Sequence, residues 1–269
     1  MNTIINELFP TLRVEFQKVR RSKTLWLTIF AFVLAAAIGG LFMFILKDPE
    51  RARQLGLIGA KAQIFGGTAN WSSFYSLMFL LVSIGGMIIF GFIFIWIFGR
   101  EYSDRTYYDI LSLPTSRVTI VIGKIITAAY WSMALILLVF VLTLGIGALL
   151  QLPGWSSAIM MNGLALLLGT GVLTLLTCIP FALIASVTRG YLPAVGGIFL
   201  VLVLGQIINQ IGYGQFFPWD IPMMYSGAAQ ALSGKAPPQL GFISYLLVVL
   251  PGIIGIIVTG AWWRYADQT

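Results

Sequence analysis

The chain has 269 residues, of which 59% are hydrophobic and 9% are charged, and its mean hydropathy is +0.94. Soluble domains carry roughly 25% charged residues, so the composition excludes a large soluble domain. The formal net charge is +7, with no histidine and a single cysteine, Cys178, which excludes an internal disulfide framework. We expect no metal site and no histidine-dependent chemistry.

Three stretches lack Asp, Glu, Lys and Arg altogether: 62–99, 125–188 and 236–263. A helix crosses the hydrocarbon core with roughly 20 residues, so the longest stretch must cross more than once. Hydrophobic runs and their breaks predict six transmembrane helices, at 25–46, 77–98, 118–149, 163–187, 192–211 and 242–263. We therefore predict an all-α polytopic membrane protein, with residues 1–269 forming a single transmembrane domain.

Residues 1–24 precede the first predicted span and read as an amphipathic helix on the inner leaflet. The apolar positions recur at three- and four-residue spacing, at Ile5, Leu8, Phe9, Leu12, Phe16 and Val19. Basic residues then follow at Lys18, Arg20, Arg21 and Lys23, which we expect at anionic headgroups of the membrane surface. The alternative is a simple orientation signal. The segment is not a cleavable signal peptide, so the first span should remain in the mature protein.

Six spans put both termini on one side of the membrane. With this topology eleven basic residues share the side of the termini, and five share the other side. Because cytoplasmic loops carry the excess of Lys and Arg, we predict cytoplasmic termini in a bacterial inner membrane. Seven of the eight tryptophans fall at or near predicted span ends, which agrees with this arrangement.

The most informative polar segment, 100–117, lies between the second and third predicted spans. Ser103 or Asp104 is the expected N-cap of a short cytoplasmic helix, and Pro114 ends it. Tyr107, Tyr108 and the leucines that follow would give this helix an apolar face. A membrane protein that turns such a face to the cytosol is expected to dock it on a partner.

This segment resembles the loop after the second span of ABC type-2 permeases of the bacitracin- and sodium-exporter kind. The resemblance rests on Glu101, Asp104-Arg105-Thr106, Leu111, Leu113-Pro114, Ser116-Arg117 and Gly123-Lys124. Asp104-Arg105 departs from the family's usual Gly before Thr. The six spans, the amphipathic N-terminal helix and the irregular outer segment extend the resemblance over the whole chain.

The resemblance implies a permease subunit that pairs with a second permease, identical or different, and with two separate ATP-binding subunits. The segment would be the coupling helix that inserts into the ATPase. The residues expected to carry ATPase coupling are Glu101, Asp104, Arg105, Thr106, Tyr108, Leu111, Leu113, Pro114 and Arg117. ATP and Mg²⁺ would be bound by the partner, and the family favours export.

The sequence supports this division of labour without the family. It contains no Gly-x-x-x-x-Gly-Lys-Ser/Thr, so we predict a transport subunit that is not itself an enzyme and binds no cofactor. No acidic residue or histidine falls in the predicted spans, where ion-coupled carriers usually place one. Energy from a partner ATPase is the better interpretation, and no nucleic-acid partner is expected.

Candidates for a substrate pathway lie in the fifth predicted span and in the outer segment that follows it. Gln206, Asn209 and Gln210 share one face of the fifth span, where they either line a pathway or hydrogen-bond between helices. The outer segment 212–241 carries Phe217 and Trp219 among many aromatic and proline residues. We expect it to re-enter the outer leaflet and line an exit route, with an aromatic belt as the alternative.

These observations favour the permease of an ATP-driven exporter that moves a hydrophobic or amphipathic substrate, such as a peptide antibiotic, a drug or a lipid-linked molecule. A scaffold or assembly protein that transports nothing is the main alternative. An intramembrane enzyme is the weaker one, because the hydroxyl groups in the spans have no histidine or acidic companion.

Overall fold

The computed structural model describes residues 2–48, 68–104, 106, 115–228 and 240–265, and the regular structure in these ranges is entirely helical. Six helices there are long and apolar enough to cross a membrane. They are numbered here as spans 1 to 6: Lys23–Lys47, Trp71–Ser103, Arg117–Leu149, Ser157–Val187, Leu192–Gln210 and Phe242–Tyr265. The predicted all-α, six-span architecture is therefore confirmed, and the protein is a multi-pass membrane protein.

Spans 2 and 4 begin earlier than hydropathy predicts, because capping residues set their first turns. The side chain of Asn70 accepts a hydrogen bond from the Ser73 amide at 2.8 Å, and span 2 starts at Trp71 instead of 77. Ser156 caps span 4 in the same way. Span 2 also contains a π-helical turn at Leu81–Gly85, and span 4 is interrupted at Ile179, between Ser157–Cys178 and Pro180–Val187.

Span 2 forms the centre of the bundle, with Phe90, Phe94 and Phe98 completely buried. It packs against spans 3 and 4, whereas spans 1 and 5 lie at the periphery. Span 5 exposes apolar side chains such as Phe199 and Val203. Apolar surface of this kind is stable in lipid, where it needs no protein cover.

The N-terminal helix, Asn2–Arg20, packs along span 3. Gly123 permits the close approach, because a Cβ atom at this position would lie only 2.7 Å from the Thr11 Cγ2 atom. The helix turns Glu15 and Val19 to the protein and leaves Phe9 and Val14 exposed. A polar residue thus lies on its protein-facing side, which the spacing of apolar residues did not suggest. Its position on a membrane surface stays a prediction.

One end of the bundle, called here the inner end, is defined by Phe98, Arg117 and Trp263. The Arg117 guanidinium donates to the Trp263 carbonyl at 3.2 Å, and the Trp263 ring packs edge-on against Phe98. Span 2 ends, span 3 begins and span 6 ends at this level. It is the end that the charge distribution predicts to face the cytoplasm.

The outer segment after span 5 forms a 3₁₀ turn at Gly214–Phe216 and a short helix at Ile221–Ser226, which Gly227 ends in the left-handed conformation. The short helix packs against span 4 and buries Ile221. The Trp219 indole donates to the Thr177 carbonyl of span 4 at 2.9 Å. Re-entry of this segment into the membrane stays a prediction, and residues 229–239 lie outside the described ranges.

A buried ion network at the candidate coupling segment

Four charged side chains meet at the inner end, inside a protein that has few charges. Lys124 of span 3 lies 2.7 Å from the Glu101 carboxylate of span 2 and 3.3 Å from that of Glu15. Lys18 lies 2.9 Å from each of the same carboxylates. Two positive and two negative charges thus join the N-terminal helix, span 2 and span 3 in one ion network.

The network is deeply buried, and its hydrogen-bonding capacity is well used. The relative exposure is 0% for Lys124, 1% for Glu101 and 4% for Glu15. The Lys124 ammonium group has three N–H donors, and besides the two carboxylates it reaches the Ile97 carbonyl at 3.2 Å. Burial of these charges is tolerated because each has an opposite charge and hydrogen bonds beside it.

Helix spacing and one glycine explain how Glu15 and Lys18 meet Lys124. Glu15 and Lys18 are three residues apart on one helix and so share a face. Gly123 brings that helix close to span 3, where the next residue, Lys124, turns into the bundle.

Burial lowers the pKa of Lys18, but the carboxylates of Glu15 and Glu101 more than offset this and hold its pKa above the usual value.

The segment between spans 2 and 3 is attached to this network at its start. Thr106 donates its hydroxyl hydrogen bond to the Glu101 carboxylate at 2.7 Å, and its amide bonds to the Glu101 carbonyl at 3.0 Å. At the far end of the segment, the Ser116 amide donates to the Glu7 carboxylate at 3.1 Å. Both ends of the segment are therefore connected to residues of the neighbouring helices.

The structure differs from the sequence prediction at the first residues of this segment. Ser103 is the last residue of span 2, and Asp104 is the C-cap of that span. The expected N-cap role is wrong for both, because span 2 continues past the apolar run and carries Glu101 within its last turn. Arg105, Tyr108, Leu111, Leu113 and Pro114 lie outside the described residues, so the coupling helix itself and their coupling role stay predictions.

The predicted membrane-surface residues fall into two groups. Arg20, Arg21 and Lys23 are exposed at the inner end, whereas Lys18 is half-buried and paired with Glu15 and Glu101. Their contact with lipid headgroups stays a prediction. For Lys18 the protein already supplies two carboxylate partners.

The candidate pathway residues are brought only partly together. Gln206 and Trp219 line one small cavity with Ser83 and Asp220, and the ring of Phe217 packs on Trp219 at 5.3 Å. Asn209 is half-buried and Gln210 is exposed. No hydrogen bond between helices joins the three amides within the described ranges, and their role in a pathway stays a prediction.

Sequence reasoning missed the ion network and the surroundings of Asp220. The sequence prediction places Glu15 among neither the coupling nor the surface residues, and it uses Lys124 only in the charge count of the inner side and in the Gly-Lys motif. A lysine eight residues into an apolar span is costly without a partner, and this cost was the signal in the sequence that Lys124 is paired.

Asp220 approaches Gly205 so closely that a Cβ atom there would lie 2.5 Å from the Asp220 Oδ1 atom.

Comparison with known proteins gives one family match and one relative. The family model described as ABC-2 family transporter protein matches residues 11–206, which is most of the chain and includes the ion network. The bacitracin transport permease protein BCRB of Bacillus licheniformis is 26% identical over 178 residues. That alignment covers 66% of this chain and 85% of the relative.

Proposed function

The chain belongs to the ABC-2 transporter family, and on this basis we propose that it is the permease of an ATP-driven exporter whose energy comes from separate ATP-binding subunits. Two such subunits, which bind ATP and Mg²⁺, would act with two permeases, either two copies of this chain or this chain and a different one. The inner end of the bundle would face the cytoplasm, where the ATP-binding subunits are.

The observation that carries this proposal is the attachment of the segment 104–116 to the ion network. Thr106 holds the start of the segment to Glu101, and Glu101 is fixed by Lys18 and Lys124. Force applied to the segment by a closing ATPase would therefore reach span 2, span 3 and the N-terminal helix together. Packed side chains and ion pairs of this kind carry coupling between distant sites.

The transported substrate is proposed from the relative and from the character of the bundle. The name of the Bacillus licheniformis relative refers to bacitracin transport. The described part of this chain offers mainly apolar helix surface, with a few amides and aromatic rings at the outer end. We propose a hydrophobic or amphipathic substrate, such as a peptide antibiotic, a drug or a lipid-linked molecule, taken from the cytoplasm or the inner leaflet.

The test is purification of the tagged chain from its native membrane, followed by mass spectrometry and an ATPase assay of the complex. We expect an ATP-binding subunit to co-purify. The variant Leu111→Asp/Leu113→Asp should lose that subunit, because charge on the docking face opposes burial against the partner. The matched variant Leu111→Met/Leu113→Met keeps the face apolar and should retain the subunit.

Two results would contradict the proposal: a stable chain recovered with no ATPase, or an ATPase retained equally by both variants. Bacitracin resistance that requires an active ATPase would support export of a peptide antibiotic, whereas resistance unaffected by inactivation of the ATPase would exclude bacitracin as the substrate. The resistance assay compares cells that carry the whole transporter with cells whose ATP-binding subunit cannot hydrolyse ATP. It separates export from mere association of the subunits.

A further inference from the structure

A cavity of ≈ 380 Å³ opens at the inner end, next to Lys18 of the ion network. Its walls come from the end of the N-terminal helix, the residue before span 1, the end of span 2 and the residue before span 5. The side chains that matter here are Lys18, Arg21, Arg100, Asp104, Trp96 and Tyr191. About half of its lining is polar, unlike the apolar grooves elsewhere on the bundle.

The described lining carries more positive charge than the protein neutralises. Lys18 is balanced by the two carboxylates of the ion network. Among the described residues, the one carboxylate that Arg100 contacts is that of Asp104, at 3.9 Å, and the Asp104 side chain is 57% exposed. For Arg21, no carboxylate partner is found among the described residues. Two guanidinium groups of the described lining thus border one cavity together with one loosely held carboxylate.

Guanidinium groups suit phosphate oxygens particularly well. Their N–H donors lie in one plane and can contact two oxygens of a phosphate at once. The Arg100 guanidinium is already oriented, because it lies over the Trp96 ring at 4.8 Å from the ring centre. An arginine held in this way loses less side-chain entropy when it binds an anion.

The position of the cavity favours binding of a lipid headgroup over binding of a dissolved ion. It lies where span 1 begins and span 2 ends, at the level where headgroup phosphates of a bilayer are found. Val14 and the Trp96 ring add apolar surface to its wall, so an amphipathic ligand meets both kinds of surface. Basic pockets between spans on the cytoplasmic side are suited to anionic headgroups.

We propose that this cavity binds the phosphate of an anionic phospholipid of the inner leaflet, with Arg21 and Arg100 as its main contacts. The bound lipid would stabilise the last turn of span 2, in which Glu101 directly follows Arg100. The proposal rests on the orientation given under the proposed function, but lipid binding by the purified chain does not require an ATPase. Failure of one proposal is therefore distinguishable from failure of the other.

The test is native mass spectrometry of the full chain, released from membranes that contain equal amounts of phosphatidylglycerol and phosphatidylcholine. The variant Arg21→Gln/Arg100→Gln should retain phosphatidylglycerol about tenfold less than the wild type, because two phosphate contacts are lost. The control Arg20→Gln/Lys23→Gln removes the same charge from exposed residues outside the cavity. Its phosphatidylglycerol retention should change less than about twofold.

Equal losses in the two double variants would overturn the proposal, because they would show diffuse attraction to the surface. So would binding of inorganic phosphate by the lipid-free protein that is as tight as lipid binding and equally sensitive to Arg21→Gln/Arg100→Gln. If the double variant does not fold, the single variants Arg21→Gln and Arg20→Gln provide the same comparison. The Arg21→Lys/Arg100→Lys variant, which keeps the charge, should fall between the wild type and the glutamine variant.

Discussion

Carboxylate oxygens buried at the two ends of the bundle differ in whether they have charged or hydrogen-bonding partners among the described residues. At the inner end, Glu15 and Glu101 each contact two lysines, and the carboxylate of Glu101 also accepts a hydrogen bond from Thr106. At the outer end, the Asp220 Oδ2 atom is buried with no hydrogen-bond partner in the described part of the chain. The cavity beside it, of ≈ 20 Å³, has room for about one water molecule.

This difference shows which charges are fixed and which can change. The inner network holds its charges, because removing any one member leaves an uncompensated net charge among buried groups. Around Asp220, no other charged side chain lines the cavity among the described residues. Burial alone raises the pKa of Asp220 to about 6. The inner end therefore suits a rigid mechanical link, and the outer end contains a group that titrates near physiological pH.

The largest effect is expected from breaking the inner network at its centre. Lys124→Met should lower the free energy of unfolding by about 3–5 kcal/mol, because Glu15 and Glu101 are left close together and buried. Thermal unfolding of the purified chain in detergent measures this loss. The control Lys23→Met removes an exposed lysine and should change stability by less than about 0.5 kcal/mol.

A rescue variant sharpens this prediction. Lys124→Met/Glu101→Gln removes one charge of each sign and should regain part of the lost stability, because Lys18 still balances Glu15. Equal stability of Lys124→Met and Lys23→Met would show that the network contributes nothing to the fold.

A smaller effect is expected where the network meets the coupling segment. Thr106→Val removes a hydrogen bond to a charged acceptor, worth about 1.5–3 kcal/mol locally. Because Thr106 is only half-buried, we expect global stability to change little and substrate-stimulated ATPase activity of the complex to fall several-fold. Thr106→Ser keeps the hydroxyl group and should retain activity.

The matched control for this variant is Thr115→Val, in the same segment, where no side-chain hydrogen bond is found among the described residues. Similar ATPase activity of Thr106→Val and Thr115→Val would contradict a role for the Glu101 contact in energy coupling.

The smallest effect concerns Asp220 and depends on pH. Its pKa is higher in the folded protein than in the unfolded chain, so the folded state binds the extra proton between about pH 4 and 6. Stability from this group is therefore present at low pH and is lost as the pH rises through about 6. After allowance for the partial exposure of Asp220, we expect at most about 1 kcal/mol.

The measurement is thermal unfolding of wild type and Asp220→Asn between pH 4.5 and 7.5. The variant should be the more stable of the two at pH 7.5, and this difference should shrink as the pH falls. Asp104→Asn, which changes an exposed carboxylate, should follow the wild-type profile. A constant difference between wild type and Asp220→Asn across this pH range would contradict an unpaired, titrating carboxylate.

Sequence reasoning was most successful for the six spans, because the lipid restricts which backbone structures can cross the membrane. Unpaired backbone groups are excluded from hydrocarbon, so long charge-free runs must be helices, and the six spans were predictable from hydropathy. Their ends were less predictable, because Asn70 and Ser156 lie outside the apolar runs and cap the helices through side-chain hydrogen bonds. The same limit led to the wrong N-cap assignment of Ser103 and Asp104.

The candidate coupling motif was visible in the sequence as a set of residue types at fixed spacing, but the contacts that Glu101 and Lys124 make were not. Glu101 and Lys124 are 23 residues apart, and Glu15 is 86 residues before Glu101. No helical periodicity connects positions so distant. Only tertiary packing brings Glu15 and Glu101 within 3.3 Å of Lys124: the N-terminal helix packs on span 3 at Gly123, and span 2 packs on span 3.

The sequence by itself determined that this protein is an all-helical membrane protein with six spans, because hydropathy is a local property of consecutive residues. The family was also recognisable from the motif around Glu101 and Gly123-Lys124. Tertiary structure alone decided which charges are paired: Lys18 and Lys124 share two carboxylates, while the Asp220 Oδ2 atom has no hydrogen-bond partner among the described residues. The energy of a buried charge depends on neighbours that are distant in sequence, so only the folded chain could establish it.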